Sequence, residues 1–159
     1  MLKKFLLMLI VCSAFIFSAN TPSDAWDKKK MVNLGEDKNK MTWFILDYGK
    51  KSNGVPFAVA RKYYTNPEIR KSTINLLISK FKADQKRANE LHFTQYEYAY
   101  TTDGKQFRQV YERHYDMSGK EIIVFTPRDK NRQKQKEFSP LEAVKDSIPY
   151  KAAKYALGE

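Results

Sequence analysis

Cysteine is almost absent: the one copy, Cys12, lies inside an apolar run near the start of the 159-residue chain. Histidine is nearly as scarce, with only His92 and His114. Once the leader described below is removed no thiol remains, which excludes an intramolecular disulfide, a thiolate metal site and a cysteine nucleophile. The two histidines have no Glu-x-x-His, His-x-His or carboxylate cluster at ligand spacing, so nothing spells a metal site. Also missing are a Gly-rich phosphate loop, a Gly-x-Ser-x-Gly elbow and a Ser-x-x-Lys set. No catalytic residue, metal or cofactor is therefore expected. After Ala25 the chain has neither a second long apolar segment nor a repeat of about 20 to 50 residues.

What is present begins at Met1. Lys3 and Lys4 precede an apolar run from Phe5 to Phe17, and Ser23 and Ala25 supply the small residues flanking a cut after Ala25. The run is shorter than the ~20 residues of a spanning helix. Leu9-Ile10-Val11 before Cys12 lacks the small residues of a lipid-attachment site. Residues 1–25 are expected to be a cleaved export signal, placing the rest in the periplasm, on the cell surface or in the medium. Losing Lys3, Lys4 and Asp24 takes the charge from +11 to +10. That balance favours anionic neighbours such as lipid head groups, wall polymers, acidic glycans or nucleic acid, without choosing among them. It also serves solubility. The remaining 134 or so of the 159 residues suit one domain.

Along the mature chain, 26–40 is polar and lysine-rich and reads as a flexible lead-in, with a single α+β domain over 41–159. Trp43, Phe44, Ile45 and Tyr48 signal a strand over 42–48. The Asn53-Gly54 pair marks a hairpin turn, and 55–64 is the return strand, with Ala58, Ala60 and Lys62 on one face and Phe57, Val59 and Arg61 on the other. Ser72 to Leu91 carries two patterns. Ile74, Leu77, Ile78, Phe81 and Ala88 fit helical spacing behind an Asn66-Pro67 cap, whereas Ile74, Leu76 and Ile78 alternate with Thr73 and Leu77 as in a strand. From His92 the signal is a three-strand antiparallel meander over 92–126. Its turns are Thr102-Asp103-Gly104-Lys105 and Asp116-Met117-Ser118-Gly119-Lys120. Ser139, Pro140 and Glu142 match a capping box, Ser147-Ile148-Pro149 a second helix start, and Gly158 a helix end.

The alternation of the meander puts Tyr96, Tyr98 and Tyr100 on one strand face. If open, that face would stack sugars or bases beside Arg108 and Arg113; the commoner duty of such a face is core packing. Arg128, Lys130, Arg132, Lys134 and Lys136 form a basic segment suited either to solvation or to docking on a polyanion. These ten residues are the candidate binding set.

The order of features (export signal, Met41-Thr42-Trp43-Phe44-Ile45, Tyr63-Tyr64, a strand ending in Tyr-Thr-Thr-Asp-Gly, Tyr115-Asp116-Met117-Ser118-Gly119-Lys120, then Ser-Ile-Pro) resembles the surface-adhesin protein E-like domains of small bacterial envelope proteins, over roughly Met41 to Tyr155. The resemblance implies one antiparallel sheet of about five to six strands with a C-terminal helix packed on one face. It tips residues 72–81 towards a strand, followed by a short helix over 84–91. The founding type is an adhesin of host matrix and serum proteins. This chain lacks the cysteines that tether the final helix in some members, and no binding residue carries over. The expected function is an exported non-enzymatic binding protein of the envelope or surface, meeting an anionic polymer or a host or envelope protein. One alternative is a periplasmic accessory protein that meets a protein partner through the tyrosine face. Another is a small basic ribonuclease-like enzyme in which His92, His114, Glu112 and a lysine converge around a phosphate.

Overall fold

The computed structural model describes residues 31–126 and 137–158. The expected signal over 1–25 and the basic segment over 128–136 lie outside those residues. Six strands follow one another in a curled antiparallel half-barrel: β1 (Val32–Glu36), β2 (Thr42–Lys50), β3 (Pro56–Tyr63), β4 (Leu91–Tyr100), β5 (Gln106–Asp116) and β6 (Glu121–Phe125). A two-residue strand, β7 (Ser139–Pro140), pairs with the first residues of β5. Among the described residues no helix is long and apolar enough to cross a membrane.

The hairpins form where the turn chemistry demands them. Gly54 adopts φ +79° and its N–H donates to the Lys51 carbonyl at 2.8 Å, closing the β2–β3 turn. At the β5–β6 turn the Asp116 carboxylate accepts from the backbone N–H groups of Ser118 and Lys120 and from the Ser118 hydroxyl. The meander over 92–126 and the hairpin before it stand as the residues predict.

Three segments differ from expectation. The strand expected over 72–81 is a helix, α1 (Pro67–Ser79), followed by the short α2 (Gln85–Asn89). The cap decides it: the Asn66 side-chain oxygen accepts from the N–H groups of Glu68 and Ile69, and Pro67 occupies the first turn. Burial then follows the helical period, with Ile74 and Leu77 inside and Leu76 47% exposed. Second, the lead-in reading fails at its end, because Val32–Glu36 pairs with β2 and the half-buried Val32 and Leu34 pack on the core. Third, the capping box at Ser139 does not form. Ser139 pairs with Phe107, the Leu141 N–H donates to the Lys105 carbonyl, and only a 3-10 turn over Leu141–Val144 results. The second start is as expected: α3 (Ile148–Leu157) begins after Ser147 and ends at Gly158, at φ +80°.

The core falls into two clusters. One joins Met41, Trp43, Ile45, Ala58, Ala60, Tyr96, Tyr98 and Tyr100 to Leu141 and to Ile148, Ala152, Ala153 and Ala156 of α3. The other joins Ile74 and Leu77 of α1 to Ala88, Leu91 and Phe125. Asn66 ties α1 to the β1–β2 turn as well, since its side-chain amide donates to the Asn39 carbonyl at 3.0 Å.

Candidate binding surface

The strand registers sort the candidate residues onto opposite sides of the sheet. Side chains alternate along a strand and directly paired residues share a side. Tyr96 pairs with Ala60 on one neighbour and Glu112 on the other. Gln95 pairs with Arg61 and with Arg113, and Ala99 with Phe57 and with Arg108. The three arginines therefore share the side opposite Tyr96, Tyr98 and Tyr100. The expected stacking of those tyrosines beside Arg108 and Arg113 is not what the fold builds.

The tyrosine side is interior. Tyr96, Tyr98 and Tyr100 are all buried, Trp43 lies against Tyr96 at 5.3 Å between ring centres, and the Tyr100 hydroxyl donates to the Pro149 carbonyl at 2.8 Å. Burial raises the Tyr98 and Tyr100 phenols well above the usual tyrosine range, and the Glu112 charge adds to the rise at Tyr98. Among the described residues these three tyrosines do not form an exposed stacking row.

Between the two core clusters the same side carries a buried polar chain. The Tyr64 hydroxyl lies 2.9 Å from the Thr94 hydroxyl, which lies 2.9 Å from Nδ1 of His114. The other ring nitrogen of His114 is 3.0 Å from the Glu112 carboxylate. Lys62 hangs its ammonium over the rings of Tyr64, Tyr96 and Trp43 at 4.8, 5.5 and 5.7 Å. Burial lowers the Lys62 pKa against the pull of Glu112 and Asp37. Burial pushes the Tyr64 phenol up to about 12, although hydrogen bonds with Thr94 and Thr73 pull the other way. One sequence signal for this chain exists: Lys62 falls in phase with Ala58 and Ala60, and Thr94, Glu112 and His114 fall in phase with core aromatics.

The histidines do not converge. His114 is 3% exposed beside Thr94 and Phe125, whereas the exposed His92 lies against Tyr63 and Phe93, whose side of the sheet is that of Arg61. A shared acid and base pocket needs both on one side, so the ribonuclease-like arrangement of His92, His114 and Glu112 is not assembled. Among the described residues no group of three His, Cys, Asp or Glu side chains could hold a metal ion.

The arginine side is an array of rings and guanidinium groups. Tyr63, Phe93 and Tyr115 form one cross-strand row, with Phe93 and Tyr115 stacked at 4.8 Å. Phe44, Arg61, Gln95 and Arg113 form the next. The Arg61 guanidinium sits 4.0 Å from the Phe93 ring centre and donates to the Tyr63 hydroxyl at 3.0 Å. Arg113 lies over Tyr111 at 4.6 Å and pairs with Glu121 at 3.5 Å, and Arg108 lies over Phe138 at 5.1 Å. Arg61 is 5% exposed, yet among the described residues no carboxylate pairs with it, and its Nε has no hydrogen-bond partner. A buried cation held only by rings and one hydroxyl is an unusual use of an arginine. Sequence reasoning singled out Arg108 and Arg113 but missed Arg61 and Tyr63 as their companions. The alternation of 57–64 had already placed Arg61 away from Ala58 and Ala60.

Comparison with protein-family models, curated proteins and solved structures finds no match.

Proposed function

We propose that this protein is an exported, non-enzymatic binding module of the bacterial envelope or cell surface, engaging an anionic partner through the arginine and aromatic side of its sheet. The observation that carries the reading is the cross-strand placement of Arg61, Arg108 and Arg113 on one side, each over an aromatic ring. In this reading α3 covers the tyrosine-bearing face, supported by the core cluster it shares with Trp43, Ala60 and Tyr96, and the opposite face is left to the partner. Guanidinium groups aligned over rings present donors in fixed directions, which suits sulfate, phosphate or carboxylate groups carried on a polymer. The basic residues Arg128, Lys130, Arg132, Lys134 and Lys136 add long-range attraction.

The test is retention on heparin and on anionic vesicles across salt. The expected result is retention that falls steeply between about 50 and 200 mM salt and is weakened by Arg108→Glu with Arg113→Glu. Charge removal at 128–136 should weaken it further. Absence of retention at low salt, or retention untouched by the double reversal, overturns the surface assignment. Export is tested separately by the amino terminus of the native protein. A soluble cytoplasmic chain with Met1 intact removes the premise.

A further inference from the structure

One row on the arginine side holds more donors than the protein answers. Arg61, Gln95 and Arg113 are directly paired across β3, β4 and β5, so their side chains stand in line on one side of the sheet. Two strand spacings of about 4.8 Å set the outer two backbones about 10 Å apart. The Nε–H groups of Arg61 and Arg113 are both buried, and neither has a hydrogen-bond partner among the described residues. Gln95 between them is 8% exposed, and nothing among the described residues bonds its side-chain amide. A buried donor without an acceptor is costly, and more so on a cation. Adjacent unmet donors on three strands point to an acceptor from outside.

The carboxylates around the row do not supply it. Glu121 reaches Arg113 at 3.5 Å across an exposed contact, and Glu97, two residues along β4, is held by Lys51. Asp47, in register with Val59, accepts from the Tyr48 N–H. Exposure grades along the row, from Arg61 at 5% to an Arg113 side chain at 43%. An anion therefore meets Arg113 first, and reaches Arg61 as that guanidinium slides off the Phe93 ring beneath it. The geometry of the donors narrows the anion. A carboxylate offers two oxygens in one plane, which a single guanidinium fork satisfies; a sulfate or phosphate offers oxygens in several directions, enough for two forks and an amide.

We infer that the Arg61, Gln95 and Arg113 row is a site for one tetrahedral oxyanion, a sulfate or phosphate group, in preference to a carboxylate. This rests on the proposed use of the arginine side as a binding surface and names the group recognised there.

The probe is methyl sulfate, with acetate as a planar anion of equal charge, titrated into the mature protein at constant ionic strength. The readout is the Nε–H signals of Arg61 and Arg113 and the ring signals of Phe93. Saturable shifts are expected with methyl sulfate, and binding of acetate weaker by about tenfold. Gln95→Leu keeps every charge and should weaken methyl sulfate by about fivefold. Arg61→Lys keeps the charge but not the fork and should weaken it by about as much. Columns of chondroitin sulfate and of polygalacturonate, polymers of similar charge per sugar, and phosphatidate vesicles then identify the source. Binding to chondroitin sulfate or to the vesicles in excess of polygalacturonate supports the site and says whether a glycan or a lipid brings the group. No such excess, equal shifts from methyl sulfate and acetate, or full affinity in either variant overturns the site while the arginine surface stands. Absence of binding to all three at low salt removes both.

Discussion

The two sides of β4 are buried almost equally but by different means. Thr94, Tyr96, Tyr98 and Tyr100 belong to the interior that includes Trp43 and α3, and several of their hydroxyls are hydrogen-bonded there. Phe93 and Gln95, one residue out of phase, are buried too, but under the long side chains of neighbouring strands, Arg61 over Phe93 foremost. Burial alone therefore does not identify a core. A side chain sealed by other elements loses much when removed. One sealed by arginine stems can be uncovered by a rotamer change, as the proposed surface requires.

The sharpest break between the sides should come from Trp43→Ala. It is expected to cost about 3–5 kcal/mol in denaturant unfolding, as for other large buried aromatics. Thr94→Val comes next: the shape is kept, but Tyr64 and Nδ1 of His114 lose their shared partner, for about 1–3 kcal/mol. On the other side Arg61→Met should change stability by less than about 1.5 kcal/mol, because an apolar chain of similar length replaces a buried cation. The same substitution should reduce heparin retention. A large loss of stability with retention intact would make Arg61 structural and collapse the contrast.

Alkaline titration probes the tyrosine side alone, where Tyr64 and Lys62 both lie. The Tyr64 phenol rises from 10.0 to about 12 on folding, so its contribution is complete below pH 10 and is lost as pH climbs through 12. Tyr64→Phe should flatten that part of the curve. Lys62 has the opposite sign. Its pKa is lowered from 10.5, so the unfolded chain holds the proton longer and stability gains as pH rises towards 10.5. Lys62→Met should remove this rise. The smallest stability effect belongs to Arg108→Glu with Arg113→Glu, within about 0.5 kcal/mol for two partly exposed positions.

Most of the sheet was legible because its turns are written in residue types that need side-chain caps or left-handed backbone, as at Asn53-Gly54 and Asp116 to Gly119. The helix α1 was legible only through Asn66-Pro67. Its apolar positions also alternate, and periodicity cannot separate the two until burial shows Leu76 outside. Strand β1 hides because five residues with two apolar positions carry almost no signal amid lysines. Ser139 misled because a capping box is local, while the pairing with Phe107 that replaces it joins residues far apart in the chain. The arginine side was half legible. Its arginines were visible as charge, but their aromatic companions come from β3, β4 and β5 and meet only through register.

Asn66 makes two commitments from one amide. Its oxygen starts α1, and its nitrogen clasps the carbonyl of Asn39. An Asn66→Asp exchange would keep the first grip and release the second. One oxygen-for-nitrogen swap would therefore free the turn between β1 and β2 while the helix beside it stays wound.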